Sequence, residues 1–299
     1  MYRNMYEAME VERPLQVAGV INAYAAIQAE RAGFNAIYLS GSGVATASYG
    51  LPDLGMTGLT DVLADVERIK SVSELPLLVD CDTGWGAALS IARTVREMER
   101  AGVAAIHIED QVQEKRCGHL PGKMVVEIEE MCDRIKAAVD ARIDNQFMIM
   151  ARTDALATDG LMGTLDRCAA YVEAGADAIF AEAVTELGQY QEFATRIGVP
   201  ILANLTEFGR TPQFTVDELR SADVAMALYP LSAFRAMNRV AEAVYSEIKN
   251  AGTQRDVVHL MQTREELYEN IGYHEYEQKI NDLFLVRTQS GRRQSEHTK

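Results

Sequence analysis

Short apolar runs alternate with longer amphipathic stretches along most of the chain. The runs are rich in Val, Ile, Leu and Ala and lack regular polar alternation, which is typical of parallel strands buried on both faces. Between most of them, as at 89–101 and 165–174, apolar residues recur at the spacing of a helix that buries one face. The pattern predicts eight strands, at 15–20, 35–39, 75–79, 104–108, 147–151, 178–181, 200–205 and 224–228.

A short motif recurs where a predicted helix leads into a strand. The segments 32–37, 101–106 and 174–179 share the pattern Ala-Gly-x-x-Ala-Ile. Because glycine readily takes the left-handed conformation that ends many helices, three copies indicate a repeating unit of helix and strand. Eight such units favour an α/β fold of the TIM type, a closed (β/α)8 barrel. An open sheet that binds dinucleotides is disfavoured, since no Gly-x-Gly-x-x-Gly follows a predicted strand.

Extra helical segments follow the eighth predicted strand. A helix is predicted over 232–250, ending before Gly252, and a second amphipathic stretch over 261–284. A barrel already surrounded by its helices does not need this apolar surface, so it indicates a contact with another subunit; packing on its own barrel is an equal alternative. At the other end, 1–13 predicts a short helix over the barrel bottom. We predict one barrel domain over 1–287 and a disordered polar tail over 288–299.

Length and charge limit the classes of function. The 299 residues suit a single α/β barrel. Lys and Arg number 29 against 44 Asp and Glu, a formal net charge of -15. Such a surface repels phosphate backbones and anionic lipid, so neither nucleic acid nor a membrane is an expected partner. An anionic substrate would need a cationic pocket within this acidic shell.

The four cysteines and the chain start bear on location. Cys81, Cys117, Cys132 and Cys168 form no CxxC pair and no zinc-type spacing, and the N-terminus does not resemble a secretory signal. No apolar run reaches the roughly 18 residues needed to cross a bilayer. A reduced, cytoplasmic location is therefore expected.

The predicted strands end in polar residues. In a TIM-type barrel the catalytic groups gather at the C-terminal strand ends. For any single residue a turn or helix-cap role is an equal alternative, but packing alone does not explain the whole set. It comprises Tyr38, Ser40, Gly41, Ser42, Asp80, Asp82, His107, Glu109, Asp110, Arg152, Asp154, Glu182, Asn204, Thr206 and Tyr229.

Two of these residues suggest a metal site. Asp80 and Asp82 are two positions apart, so their side chains point the same way if the strand continues that far. Carboxylates without a Cys or His cluster favour Mg²⁺ or Mn²⁺ over zinc.

Carboxylate binding has its own candidates. Arginines grip carboxylates bidentately, and the backbone N–H groups of a glycine-rich turn form an anion nest. The candidates are Arg152, Arg235, Arg264 and the turn from Ser40 to Ser42.

The run Lys115-Arg116-Cys117-Gly118-His119 is hard to explain as packing. Its cationic neighbours lower the pKa of the Cys117 thiol, which makes it an acid/base group tuned toward neutral pH. Gly118, Pro121 and Gly122 supply hinge positions for a mobile lid. The alternative is a solvated basic loop that happens to contain a cysteine.

This run resembles the signature of the isocitrate lyase/phosphoenolpyruvate mutase superfamily, in its lyase branch. The other resembling segments are 38–41, 50–55, 78–84, 107–111, 151–155, 204–209 and 226–239. The resemblance implies a barrel whose terminal helix is exchanged with a neighbouring subunit, a homotetramer, and Mg²⁺, with Mn²⁺ as a substitute. The implied reaction is cleavage of a hydroxy-tricarboxylate, (2R,3S)-2-methylisocitrate, to pyruvate and succinate. Isocitrate and 2,3-dimethylmalate are alternative substrates; a phosphonopyruvate mutase or hydrolase and a non-catalytic binding barrel are rival interpretations.

The resemblance also implies roles for individual residues. Asp80 and Asp82 would hold the metal, and Cys117 would protonate carbon with its pKa set by Lys115, Arg116 and His119. The base for the substrate hydroxyl would be Tyr38 or, second, Asp53, while Phe180 and Leu228 are candidates for contact with the substrate methyl group. The substrate would be lined by Ser40, Gly41, Ser42, Gly118, Arg152, Glu182, Asn204, Leu205, Thr206, Arg235 and Arg264.

Overall fold

Eight parallel strands close into a barrel in the computed structural model, which describes residues 3–113 and 124–296, with side chains as far as Phe284. Each strand pairs with the next along the chain, and β8 pairs with β1. This confirms the predicted TIM-type fold, with strand ends shifted by a few residues. The strands are β1 Leu15–Gly19, β2 Ala36–Leu39, β3 Leu77–Asp80, β4 Ala105–Glu109, β5 Met148–Thr153, β6 Ala178–Ala181, β7 Ile201–Asn204 and β8 Met226–Tyr229.

Helices surround the barrel and extend beyond it. The repeated motif ends helices as predicted, with Gly33, Gly102 and Gly175 at φ values of 92°, 79° and 108°. A π-helix, Val44–Ser48, continues α3, and a 3₁₀-helix, Arg255–Leu260, follows α10. The α-helices are α1 Met5–Val11, α2 Ala23–Arg31, α3 Gly41–Gly43, α4 Leu59–Lys70, α5 Ala88–Arg100, α6 Ile128–Ala141, α7 Leu156–Glu173, α8 Leu187–Ile197, α9 Val216–Ser221, α10 Ser232–Ala251, α11 Arg264–Asn270 and α12 Tyr273–Glu296.

Strand side chains alternate between two buried clusters. One cluster fills the barrel and includes Tyr38, Leu78 and Phe180, together with Met5 of α1. The other lies between the strands and the surrounding helices. Because side chains two apart on a strand share a face, polar residues that follow the interior cluster stay on the inside of the barrel mouth.

The chain divides into two compact units, Met1–Met237 and Asn238–Lys299. The first contains the whole barrel. The second contains most of α10 and then α11 and α12, and it exposes large apolar side chains such as Tyr245, Tyr276 and Leu283. Since α12 runs to Glu296, the segment predicted to be a disordered tail is helical over 288–296. The predicted domain boundaries stay a prediction. Within the described residues, no helix is long and apolar enough to span a bilayer.

Candidate active site

The polar residues at the strand ends continue the interior face of the barrel. Asp80 follows Leu78 by two positions, and Glu182 follows Phe180 in the same way. Strand pairing sets Glu109 opposite Arg152 and places Asp80 opposite His107. The predicted strand-end residues of β3 to β7 have buried side chains, and those that continue the interior face are brought together at one mouth of the barrel.

Asp80 and Asp82 converge on Gly41. The backbone N–H of Gly41 donates to Asp80 Oδ2 at 3.0 Å, and the N–H of Asp82 donates to Asp80 Oδ1 at 3.1 Å. A Cβ placed on Gly41 would lie 3.1 Å from Asp80 Oδ2 and 3.2 Å from Asp82 Oδ1. The two carboxylates were expected to align through a continued strand, but β3 ends at Asp80 and Asp82 has a left-handed φ of 49°. They converge through a turn instead.

This arrangement suits a hydrated divalent cation. Among the described residues, no three His, Cys, Asp or Glu side chains converge as a closed metal site. Mg²⁺ commonly binds one or two carboxylates and keeps several waters, so two converging oxygens over a glycine are the donor set it needs. Asp82 Oδ2 also accepts from Nε1 of Trp85 at 3.2 Å, which orients that carboxylate.

Arg152 is shared by three carboxylates. Its guanidinium lies 3.0 Å from Asp154, 3.3 Å from Glu109 and 3.4 Å from Glu182, and its Cζ is 5.1 Å from the centre of the Phe180 ring. Burial alone would lower the pKa of Arg152, but these three charges outweigh burial and hold it well above its usual value. The predicted carboxylate clamp is therefore a permanent cation within an acidic cluster.

Amide groups complete the cluster. The side chain of Asn204 donates to Glu182 Oε2 at 3.2 Å, and the N–H of Ala183 donates to Glu182 Oε1 at 3.0 Å. Gln111 donates to Glu109 Oε1 at 3.1 Å. The carboxylates around Arg152 are thus held by hydrogen bonds from neighbouring strand ends.

Tyr38 and His107 meet inside the barrel. The Tyr38 hydroxyl lies 3.0 Å from His107 Nε2, which lies 3.7 Å from Asp80 Oδ1. Burial, followed by the charge of Asp80, raises the pKa of Tyr38 well above its usual value. Tyr38 therefore joins the acidic cluster as a protonated phenol.

Other predicted residues lie around this centre with different contacts. The Gly41 N–H, predicted to bind an anion, donates to Asp80, and Ser40 Oγ accepts from the N–H of Gly43 at 3.3 Å. Thr206 is buried, whereas Ser42 is half-buried. Leu205 packs in the layer between strands and helices, and its N–H donates to the carbonyl of Leu228. Its side chain is therefore outside the barrel interior.

Three further predicted residues lie on helices or in a loop rather than at the end of a strand. Arg235, in the first turn of α10, is 3.5 Å from Glu207 and has its Cζ 5.8 Å from the centre of the Phe208 ring. Asp53 is half-buried in the loop after the π-helix. Arg264 begins α11, in the second compact unit.

The predicted acid/base run lies outside the described residues. It comprises Lys115, Arg116, Cys117, Gly118 and His119. The cysteines within the described residues are free thiols. In each, burial is the first cause of a raised pKa, and in Cys81 the charges of Asp80 and Asp82 add to it. These thiols are Cys81, Cys132 and Cys168.

Relatives of the chain were identified from sequence and from structure. A family described as phosphoenolpyruvate phosphomutase matches residues 7–249. This chain belongs to the phosphoenolpyruvate mutase/isocitrate lyase superfamily. It is 61% identical to a 2-methylisocitrate lyase of Escherichia coli (strain K12), over 93% of this chain and 94% of the relative. It is 48% identical to a 2-methylisocitrate lyase of Aeropyrum pernix, over 90% and 86%.

Solved structures of the superfamily share the fold. A 2,3-dimethylmalate lyase has a TM-score of 0.84 and 34% identity, and the likeness covers 91% of each chain. A phosphonopyruvate hydrolase, solved with oxalate and Mg²⁺, has a TM-score of 0.80 and 29% identity, covering 93% of this chain and 97% of that one. The predicted superfamily and the predicted enzyme class, a carbon–carbon lyase, are confirmed.

Sequence reasoning did not assign roles to several residues of this superfamily site. Glu109, Asp154 and His107 were recognised only as polar strand ends, yet they contact Arg152 or Tyr38. Their position at the ends of predicted strands was the available signal, because the C-terminal ends of neighbouring strands meet at the barrel mouth. Trp85 gave no such signal, because its contact depends on the turn at Asp82.

Proposed function

We propose that the chain cleaves (2R,3S)-2-methylisocitrate to pyruvate and succinate. The observation that carries this proposal is identity of 61% to a 2-methylisocitrate lyase over nearly the whole of both chains. The site supports it chemically, because two converging carboxylates and a buried guanidinium lie at one barrel mouth. A substrate with several carboxylates and a hydroxyl group needs both. The reaction would place the enzyme in the methylcitrate cycle of propionate catabolism.

The proposed reaction is a retro-aldol-type cleavage. A base removes the proton of the substrate hydroxyl, the adjacent C–C bond breaks, and the hydroxyl-bearing carbon becomes the keto carbon of pyruvate. The electron pair of the broken bond passes to the departing fragment as an aci-carboxylate. The thiol of Cys117 then protonates that carbon and succinate forms, with Lys115, Arg116 and His119 setting the pKa of the thiol.

Asp80 and Asp82 would hold Mg²⁺, with Mn²⁺ as a substitute, directly or through water. When bound, the cation supplies a positive charge that stabilises oxyanion charge developing during cleavage. Their convergence over Gly41 supports this role.

Substrate carboxylates are assigned to the cations and amides of the mouth. Arg152 would orient one carboxylate, with Glu182, Asn204 and Thr206 beside it, and Arg235 would act from the first turn of α10. The remaining lining positions in the proposal are Ser40, Gly41, Ser42, Gly118, Leu205 and Arg264. The side chain of Leu205 packs outside the barrel interior, so its proposed contact with substrate is through the backbone.

Two residues remain candidates for the hydroxyl base. Tyr38 is the first, because its hydroxyl lies within the cluster next to His107. Its raised pKa keeps it protonated at neutral pH in the free enzyme, so it serves as base only in a complex that lowers its pKa. Asp53, in the loop after the π-helix, is the alternative.

The proposal includes the quaternary state and location. A homotetramer in which terminal helices are exchanged between subunits is supported by the second compact unit, where α10 buries no side chain and α12 exposes Tyr276, Ile280, Leu283 and Phe284. Such apolar surface is expected to be covered by another copy of the chain. The proposed cytoplasmic location is supported by the free thiols Cys81, Cys132 and Cys168.

The experiment is product identification with purified enzyme and Mg²⁺. We expect pyruvate and succinate in equal amounts from synthetic (2R,3S)-2-methylisocitrate. A pocket discriminates one methyl or methylene group by only about 1–3 kcal/mol, so isocitrate is expected to react at a lower kcat/KM. Cleavage of 2,3-dimethylmalate is the second candidate activity, and the likeness to the dimethylmalate lyase structure is the observation that supports it. A higher kcat/KM for isocitrate or 2,3-dimethylmalate would reject the proposed substrate.

A further inference from the structure

Asp110 is a buried carboxylate that the proposed reaction does not use. It directly follows β4 and has no exposed surface. Because Glu109 points into the barrel, its neighbour Asp110 points outward toward α7. An apolar residue would pack in this layer without the cost of burying a charge, so packing does not account for a carboxylate here.

Three hydrogen bonds, two from the end of β5 and one from α7, reach this carboxylate. It accepts from the hydroxyl of Thr153 at 2.7 Å, from the hydroxyl of Tyr171 at 2.9 Å and from the backbone N–H of Asp154 at 2.9 Å. The guanidinium of Arg167 lies 4.0 Å from it. Asp110 therefore fixes the chain at the point where β5 ends.

Asp154, whose backbone N–H donates to Asp110, also binds Arg152 through its side chain. Asp154 accepts from Arg152 Nε at 3.0 Å through Oδ2 and from Nη2 at 3.3 Å through Oδ1, a bidentate pairing. A shift of the Asp154 backbone would therefore move the guanidinium. We propose that Asp110 is a positioning residue, which holds Asp154 and through it aims Arg152 at the substrate; this inference rests on the proposed function of Arg152.

The same network holds the described residues on either side of 114–123. The carbonyl of Asp110 accepts from the N–H of Val126 at 2.8 Å, and Arg167 donates to the carbonyl of Val126 at 2.8 Å. Gln111 and Val125 form an antiparallel bridge. Asp110 thus links the residues that hold Arg152 to the described residues on both sides of 114–123.

The opposite end of the barrel offers a matched control. Asp177 accepts from Arg142 Nη1 at 2.5 Å and from the backbone N–H of Ile149 at 2.8 Å, and Arg142 also donates to the carbonyl of Phe147 at 3.0 Å. This pair has the same chemistry as the Asp110 network: a largely buried carboxylate, a backbone donor and an arginine. Among the described residues, neither Arg142 nor Asp177 makes a polar contact with the residues of the mouth, so loss of this pair tests stability alone.

The test compares Asp110→Asn with Asp177→Asn, each in the wild type and in an Arg152→Lys background. A misplacement of about 1 Å can cost about 100-fold in rate, so we expect Asp110→Asn to lower kcat/KM by about 10- to 100-fold. Asp177→Asn should lower Tm about as much as Asp110→Asn does. It should change kcat/KM by less than about 2-fold, because Asp177 lies far from the reacting atoms. In the Arg152→Lys background, Asp110→Asn should add less than about 3-fold, since coupled residues are not additive.

The inference is overturned if the two Asn variants reduce kcat/KM equally, or if the effect of Asp110→Asn is undiminished in the Arg152→Lys background. Should Asp110→Asn fail to fold, Tyr171→Phe removes one of its hydrogen bonds and keeps the packing. That variant should lower kcat/KM by about 3-fold in the wild type only, a loss of the size expected for one hydrogen bond; no change would equally reject the positioning role.

A binding readout separates this inference from the proposed function. The dissociation constant of oxalate, measured by calorimetry with Mg²⁺, should rise in Asp110→Asn and stay unchanged in Asp177→Asn. If the wild type releases no pyruvate, the proposed function fails while the oxalate comparison still decides the role of Asp110. If the wild type is active and oxalate binds both Asn variants equally, the positioning inference alone fails.

Discussion

The two ends of the barrel each contain a largely buried pairing of arginine and aspartate, but they balance charge differently. At the N-terminal end, Asp177 is met by Arg142 and by a backbone N–H, so charge and hydrogen bonds are matched. At the C-terminal end, Arg152 is shared by three carboxylates. Asp80 and Asp82 add two more charges beside them. The first end is built for stability, whereas the second keeps an excess of negative charge that a cation would offset.

This difference shows where the fold accepts an energetic cost. Like charges brought together away from water disfavour their own ionisation, and perturbed ionisable clusters of this kind are typical of functional sites. Opposed roles for the two ends predict opposite responses to mutation. Loss of the Asp82 carboxylate at the C-terminal end should lower activity without lowering stability, whereas loss of the Asp177 carboxylate at the N-terminal end should do the reverse.

The largest effect is expected for Asp82→Asn. It removes one of the two proposed metal-binding carboxylates, and a metal supplies several kcal/mol of transition-state stabilisation, so kcat/KM should fall by about 1000-fold or more. Its Tm should be unchanged or higher, because a buried like charge is removed. Steady-state kinetics and thermal unfolding check this, with Asp177→Asn as the control. If Asp82→Asn retained more than about a tenth of the wild-type kcat/KM, the proposed role of Asp82 in metal binding would be wrong.

Asp177→Asn is expected to have the second largest effect. Removing one partner of a buried pair costs about 3–5 kcal/mol, and the partial exposure of Arg142 and Asp177 reduces this to about 2 kcal/mol. The urea midpoint should fall while kcat/KM changes by less than about 2-fold. A large loss of activity in folded Asp177→Asn would show that the two ends are not separate in function.

Gly41→Ala tests the close approach beneath the paired carboxylates. The new Cβ would lie 3.1 Å from Asp80 and 3.2 Å from Asp82, so these oxygens must move by a few tenths of an ångström. We expect kcat/KM to fall by about 10-fold. Gly188→Ala is the control, since nothing lies within 4 Å of its added Cβ. Equal kinetics for the two variants would remove Gly41 from the site.

The smallest effect concerns pH at the N-terminal end. Burial, followed by the charge of Asp177, raises the pKa of Tyr6 from 10.0 to about 12. A group whose pKa is raised on folding contributes stability that is present below its unfolded pKa and is lost as pH rises through the folded value. Tyr6→Phe should therefore gain stability relative to the wild type between pH 10 and pH 12. Urea midpoints at both ends of this range check it; a constant difference would contradict the shift.

Much of the fold was predictable because buried parallel strands leave a clear pattern. The eight apolar runs and the three repeated glycines predicted strand number, order and closure. The strand ends also identified Asp80, Arg152 and Glu182 as site candidates, since the barrel fixes which ends meet. These predictions depend only on the local sequence pattern and on the rule that the C-terminal ends of barrel strands meet at one mouth.

The contacts within the site were less predictable. The pairing of Glu109 with Arg152 depends on strand register, and the convergence of Asp80 and Asp82 depends on a left-handed residue after β3. Neither is visible in local sequence. Leu205 was expected to line the substrate, but alternation along β7 turns its side chain toward the helices.

The most direct test of the proposed metal dependence is pyruvate release from (2R,3S)-2-methylisocitrate before and after chelation. Enzyme dialysed against EDTA should release no pyruvate, and added Mg²⁺ should restore turnover in the wild type but not in Asp82→Asn. Undiminished pyruvate release in excess EDTA would contradict the assignment of Asp80 and Asp82 as the metal site on which the reaction depends.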